Sequence, residues 1–277
     1  MKQLLNKWLK NNQLLNLQIF KRLVFKQVVF KQNCVLCTQN INQNINQNNK
    51  NTHPSIHAVC RACLNDLPWH PKTSCPQCGL ESSASASINI VCGSCLNSPP
   101  DFDATKAVFL YAYPIDAMMQ RYKYGNMLNL GDTFGEFLAE KAALDFLNYN
   151  HIDLIIPMPM HPQRLKERGF NQALEIAKVL DKLLCKNHKQ KLDYKSVTRQ
   201  TLTPPQASLP LKERVKNIKG AFKVNADKLD KIQGKRIAIV DDVMTTGASL
   251  NELAKTLKKA GASHVECWVI ARTLPHR

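Results

Sequence analysis

The chain has 277 residues, is 44% apolar, and carries ten cysteines and a net charge of +17. That length accommodates one large or two modest domains, and the apolar share fills a core, which excludes a compositionally disordered chain. No run reaches the ~18 apolar residues of a membrane span, and no small-residue cleavage site follows the N-terminal lysines; the expectation is a soluble protein in a reducing cytoplasm, where paired cysteines hold metal more often than they form disulfides.

Residues 1–33 are a basic extension, and the first 50 residues contain eight Lys or Arg and no Asp or Glu. Leu5, Trp8 and Leu9 can line one helical stripe among Lys2, Lys7 and Lys10. Such a pattern suits an anionic membrane surface or nucleic acid, and equally a loosely ordered tail.

Residues 34–98 hold four C-x-x-C units, Cys34/Cys37, Cys60/Cys63, Cys75/Cys78 and Cys92/Cys95. A two-residue gap lets both thiolates of a turn reach one ion, so four units predict a double zinc ribbon with two tetrahedral Zn²⁺ sites. Sequential pairing, 34/37/60/63 with 75/78/92/95, is favoured over a cross-brace that joins alternate units; spacing leaves both open. Iron–sulfur ligation is the other chemistry such thiolates support. With every ligand position taken by Cys, no open site remains for water, which marks structural rather than catalytic metal. Gly79, in C-P-Q-C-G, is placed to take a positive φ and turn an N–H toward a sulfur. Residues 39–51 are rich in Gln and Asn, residues 81–87 in Ser and Ala; both read as loops. A segment this poor in large apolar side chains needs metal to fold. Cys185 and Cys267 stand outside the pattern and read as ordinary buried residues.

Residues 101–277 alternate strands and helices. Strands are expected at 104–113, 153–158, 236–240 and 264–271. Helices are expected at 130–147 (Phe134, Phe137, Leu138 and Leu144), at 171–184 (Leu174, Ala177, Leu180 and Leu184) and at 249–260, ended by Gly261. This order implies an α/β domain with a mainly parallel sheet covered on both faces.

The sharpest signal is R-I-A-I-V-D-D-V-M-T-T-G-A-S-L, from Arg236 to Leu250. An apolar strand runs into Asp241 and Asp242, then a small-residue loop, then a helix. The helix start offers unpaired N–H groups and partial positive charge to a phosphate. Thr245, Thr246 and Ser249 add hydroxyls, while Gly247 and Ala248 let the ligand approach the backbone closely. The two carboxylates suit the 2′ and 3′ hydroxyls of a ribose whose 5′-phosphate lies in the loop. Neither a Walker A loop nor a G-x-G-x-x-G fingerprint is present.

This stretch resembles the phosphoribosyl-diphosphate (PRPP) binding motif of the type I phosphoribosyltransferases. Three further stretches narrow the match: R-Y-K-Y-G-N at 121–126, I-P-M-P-M-H-P-Q-R-L-K-E-R-G-F-N-Q-A-L at 156–174, and V-T-R-Q-T-L-T-P-P-Q-A-S-L before K-E-R-V-K-N-I-K-G-A-F. With the cysteine-rich front they are similar to the ComF (competence protein F) family over residues 34–275. The basic extension and the long Asn/Gln-rich loop depart from it.

The resemblance implies a type I phosphoribosyltransferase-like fold, with PRPP and Mg²⁺ at the Asp241–Ser249 segment. It places Arg164 and Arg168 by the pyrophosphate, Asn171 and Gln172 at the next helix start, and Arg199, Gln206 and Arg214 in the flap region. Lys123 is placed on the hood side of the cleft. His161 reads as structural or as a phosphate donor. No protein nucleophile is needed, so no catalytic residue is assigned. The implied role is in natural transformation: cytoplasmic handling of incoming single-stranded DNA with other DNA-uptake machinery, with membrane-surface contact through the extension. The alternatives are a phosphoribosyltransferase of nucleotide salvage or synthesis and a PRPP-sensing regulator without turnover.

Overall fold

The computed structural model describes residues 33–41, 58–81, 90–125, 127–144, 151–185, 190–202 and 217–274. Most of the basic extension and of both predicted loops lies outside these residues, as do Gln206 and Arg214. The chain divides into two compact units between Leu67 and Pro68.

The first unit contains a turn after Cys34, closed by Cys34 N–H to Gln39 O at 2.7 Å and Thr38 N–H to Cys34 O at 2.9 Å. A short helix, α1 (Arg61–Asn65), follows Cys60. The second unit opens with an equivalent turn: Cys75 N–H donates to Leu80 O at 2.8 Å and Gly79 N–H to Cys75 O at 2.9 Å. Gly79 has φ +68° and Thr38 holds the matching position of the first turn with φ +63°. Helix α2 (Gly93–Asn97) completes this ribbon.

The sheet follows. Its strands are β1 (Ala104–Leu110), β2 (Leu154–Pro157), β5 (Arg236–Met244) and β6 (His264–Arg272). They lie in the order β1-β6-β5-β2, all parallel. The helices between them are α3 (Ile115–Tyr124), α4 (Asn129–Leu144), α5 (Pro162–Arg168), α6 (Gln172–Leu184), α7 (Leu229–Ile232) and α8 (Ala248–Lys259). A separate antiparallel pair, β3 (Val197–Arg199) and β4 (Phe222–Val224), flanks the sheet. Alternation along a strand sorts the side chains. Ile237, Ile239, Val265, Cys267 and Val269 pack with Leu250, Leu253 and Leu257 of α8, while α4 and α6 pack on each other and on the strands. Both faces are therefore covered, as a parallel sheet requires.

The expected elements are present, with revised ends. The first strand stops at Leu110, because the chain turns through Pro114 into α3, a helix that the apolar periodicity did not reveal. Helix α5 was also unexpected; Pro162 takes its first turn, His161 Nδ1 accepts from Gln163 N–H at 3.2 Å, and Gly169 closes it at φ +82°. In α6 the buried face is Ala173, Ile176, Ala177, Leu180 and Leu184; Leu174 is only half-buried. Cys185 and Cys267 are buried.

Helices α4 and α6 meet at Gly135. A Cβ built there would lie 2.5 Å from Val179 Cβ and 3.0 Å from Ile176 O. Neither atom is the free end of a side chain, so Gly135→Ala forces the helices apart. The expected outcome is a loss of about 1–3 kcal/mol, read as a lower midpoint in thermal or urea unfolding.

Candidate functional site

The acidic pair sits where β5 outruns its neighbour. The last β2 partner in the ladder is Pro157, opposite Val240, whereas β5 stays paired with β6 as far as Met244. Asp241 and Asp242 thus lie within the strand rather than at its end, on an edge left open by β2. Successive strand residues point to opposite faces. Asp242 turns toward α3 and meets Lys123 Nζ at 2.8 Å. It is buried, and its other oxygen accepts Val243 N–H at 2.7 Å. Asp241 turns to the face of Cys267 and Arg199, and its Oδ1 accepts Asp242 N–H at 2.9 Å.

The pair is electrostatically loaded. Burial first, and then the neighbouring Asp242 carboxylate, push Asp241 up to about 8 against the opposing pull of Lys123 and Arg199. Burial draws Lys123 down, but its contact with Asp242 outweighs this and raises it overall. Arg199 is lowered, by burial foremost, with Asp241 opposing that shift and Arg164 reinforcing it. The guanidinium of Arg199 also lies 5.7 Å from the Phe222 ring centre. Arg168 stacks on Tyr124 at 5.2 Å, and its Nη2 donates to Tyr124 Oη at 3.4 Å. Lys123 and Tyr124 both belong to the end of α3, so this unforeseen helix brings cation and aromatic to the sheet edge.

The loop after β5 runs through residues 245–247 into α8. Gly247 has φ +80° and ψ 0° and immediately precedes α8. A side chain there would adopt a disfavoured left-handed conformation, and its Cβ would lie 2.8 Å from Met244 Cε. Thr246 Oγ1 accepts Ala248 N–H at 3.2 Å, which orients the turn and leaves its hydroxyl proton available. Behind the loop, Arg272 donates through Nη1 to Met244 O at 3.1 Å and to Thr245 O. Sequence reasoning missed Arg272; the signal was a cation closing the apolar run of residues 267–271.

On the Arg199 side lies a cavity of about 370 Å³, lined mainly by apolar groups such as Pro159, Met160, Phe170 and Tyr194. None of residues 241–249 lines it.

The cysteines group sequentially: the sulfurs of Cys34, Cys37, Cys60 and Cys63 lie within 4.8 Å of one another, as do those of Cys75, Cys78, Cys92 and Cys95. Four sulfurs at ~2.3 Å from a zinc ion stand ~3.8 Å apart. Cys37 and Cys60 Sγ are 3.6 Å apart, and Cys78 and Cys92 Sγ 3.7 Å. Cys60 N–H points at Cys34 Sγ and Cys92 N–H at Cys75 Sγ, each at 3.3 Å. Burial pushes the Cys34 and Cys75 thiols up, but surrounding N–H donors outweigh it and bring both down to about 7, whereas burial keeps Cys63, Cys78 and Cys95 raised. Both tetrads therefore suit a zinc ion, which would supply folding energy rather than a reactive centre. Among the described residues, no helix is long and apolar enough to cross a membrane.

A family model described as "Phosphoribosyl transferase domain" matches residues 165–274. Competence protein F of Haemophilus influenzae is 31% identical over 224 residues, which cover 80% of this chain and 93% of that protein. DNA utilization protein YhgH of Escherichia coli K12 is 33% identical over 225 residues, 80% of this chain and 92% of that one. Competence protein ComFC of Streptococcus pneumoniae is 25% identical over 210 residues, 76% of this chain and 80% of that one. With a parallel α/β sheet, two cysteine tetrads and relatives matched along nine-tenths of their length, the chain belongs to the competence protein F family.

Proposed function

We propose that this chain binds PRPP with Mg²⁺ at the end of β5 and acts in natural transformation, on incoming single-stranded DNA. The observation that carries the ligand is the conjunction, at one sheet edge, of Asp241, Asp242, the left-handed Gly247 and the start of α8. Ligands of open α/β sheets bind beyond the carboxyl ends of strands. The 5′-phosphate takes the N–H groups of α8 with the hydroxyls of Thr245, Thr246 and Ser249. Asp241 accepts from the ribose diol, and Asp242 is oriented beside it by Lys123. Arg164, Arg168 and Arg199 face the pyrophosphate, where Arg suits bidentate contact. Mg²⁺ is held mainly by PRPP oxygens and water, as a hard cation prefers.

The role in DNA uptake is supported by the relatives' names, competence protein F and DNA utilization protein, and by the net charge of +17. A cytoplasmic site of action, single-stranded DNA as partner and contact with uptake machinery or the membrane surface belong to this proposal.

Asp241→Asn separates binding from stability. The folded carboxyl titrates near 8 against an ordinary value of 3.8, so it disfavours the folded state increasingly as pH rises from 4 to 8. Removing it is expected to raise the melting midpoint by at least ~3 °C at pH 8, with little gain near pH 4. The same variant is expected to bind PRPP at least tenfold more weakly in calorimetry, about 1.4 kcal/mol. Unchanged affinity would remove Asp241 from the ribose site.

Single-stranded oligonucleotide is expected to bind wild type at low salt and to weaken linearly in log–log salt plots. Absence of binding at 50 mM salt would refute the DNA role. Release of pyrophosphate from PRPP with one free base would instead indicate a salvage enzyme.

A further inference from the structure

We propose that Arg272 is a positioning residue that couples metal occupancy of the second cysteine tetrad to the phosphate loop. The proposal rests on the reading of that loop as the PRPP site.

The turn Pro76–Gln77–Cys78–Gly79 is docked carbonyl by carbonyl. Pro76 O accepts Thr105 N–H at 2.9 Å, and Gln77 O accepts Thr105 Oγ1 at 2.6 Å. Cys78 O accepts Arg272 Nε at 2.9 Å, and Gly79 O accepts His70 Nε2 at 2.8 Å. Four successive carbonyls of one metal-binding turn are thus fixed to other segments of the same unit, β1 and β6 among them.

Among these donors Thr105 also meets Met244, its Oγ1 lying 3.8 Å from Sδ, but Arg272 reaches backbone carbonyls at both ends. Arg272 is 4% exposed. Nε holds Cys78 O, while Nη1 holds Met244 O, Thr245 O and Thr273 O, the first and last at 3.1 Å. A guanidinium is planar and rigid, so its two edges cannot move independently. With Met244 and Thr245 carbonyls held from behind, the next peptide groups are set to face the ligand. Thr273 N–H, at 3.0 Å from Met244 O, supports the same carbonyl. Gly79 lets the turn approach closely: a Cβ there would stand 3.0 Å from Thr105 Cγ2 and 3.8 Å from Arg272 Cδ.

Cys78 supplies both a metal-binding sulfur and the carbonyl that Arg272 reads. Without the ion its thiolate is no longer tied to three others, the turn loosens, and the guanidinium loses one anchor. The loop carbonyls then lose a fixed donor. Linkage makes the effect reciprocal: PRPP that favours the ordered loop must strengthen metal binding by the same factor.

The test uses the full-length, zinc-loaded chain. Zinc release to a chromogenic chelator is followed with and without PRPP and Mg²⁺, and PRPP affinity is measured by calorimetry before and after zinc removal. In wild type, PRPP is expected to slow release of one of the two zinc equivalents, and zinc removal to weaken PRPP about tenfold. In Arg272→Gln, PRPP affinity is expected to be weakened already, with no further loss on zinc removal. Arg272→Lys, which keeps the charge but cannot bridge both edges, is expected to behave like the Gln variant. Equal zinc release with and without PRPP, together with zinc-independent PRPP affinity in wild type, would overturn the coupling even if neither variant folds. If wild type shows no PRPP binding at all, the loop reading itself fails, an outcome distinct from intact binding that ignores zinc.

Discussion

Two adjacent carboxylates on a strand that outruns its neighbour set the terms for the site. Each needs a countercharge, and strand alternation sends them to opposite faces, so the cation in contact with Asp242 acts on Asp241 only through space. The fold provides Lys123 from α3 for Asp242 and places Arg199 from β3 on the side of Asp241. The two supports differ in strength. Asp242 has an ion pair at 2.8 Å and a backbone donor at 2.7 Å. Asp241 is left with a raised pKa, and hence with unspent affinity for a hydrogen-bond donor or a cation. In the proposed site this asymmetry gives adjacent identical residues different roles: one is part of the scaffold, the other is available to the ligand.

The second cysteine tetrad belongs to this arrangement in a way that a detached metal-binding module would not. Its turn lies against β1 and β6, and Thr105 and Arg272 are the last polar anchors before the apolar interior. A metal-braced turn is short and stiff, and can hold a buried guanidinium where a flexible loop would not. Burial lowers Arg272, and the nearby Cys78 and Cys95 sulfurs oppose that shift. Metal chemistry and loop geometry thus meet at a single side chain.

The sheet was legible because its strands are buried on both faces and read as apolar runs, as in residues 236–240 and 264–271. The loop after β5 was legible because a left-handed glycine and small hydroxyl residues leave few alternatives. Helix α3 was not. Its sequence, I-D-A-M-M-Q-R-Y-K-Y, buries Ile115, Met118, Met119 and Tyr122, but Met and Tyr are weak periodic markers beside so many polar neighbours. Missing α3 hid the partner of Asp242, since Lys123 pairs across the fold with a residue more than a hundred positions away. The same limit hid Arg272. Long-range polar contacts leave no local periodicity, whereas caps such as Asn171, whose side chain accepts Ala173 N–H at 3.0 Å, are local and can be read directly.

The open edge beyond β2 also explains why so many cations gather there. Arg164 is close enough to Arg199 to disfavour the charge on Arg199, an arrangement that a fold built only for stability would avoid. Arg168 is held by an aromatic ring instead of a carboxylate. Clustered guanidiniums favour an incoming polyanion. In the proposed site the raised Asp241 is where that anion presents its hydrogen-bond donors. A ligand with phosphates at both ends and a diol between them satisfies both demands; a bare phosphate or a long polyanion alone satisfies only the first.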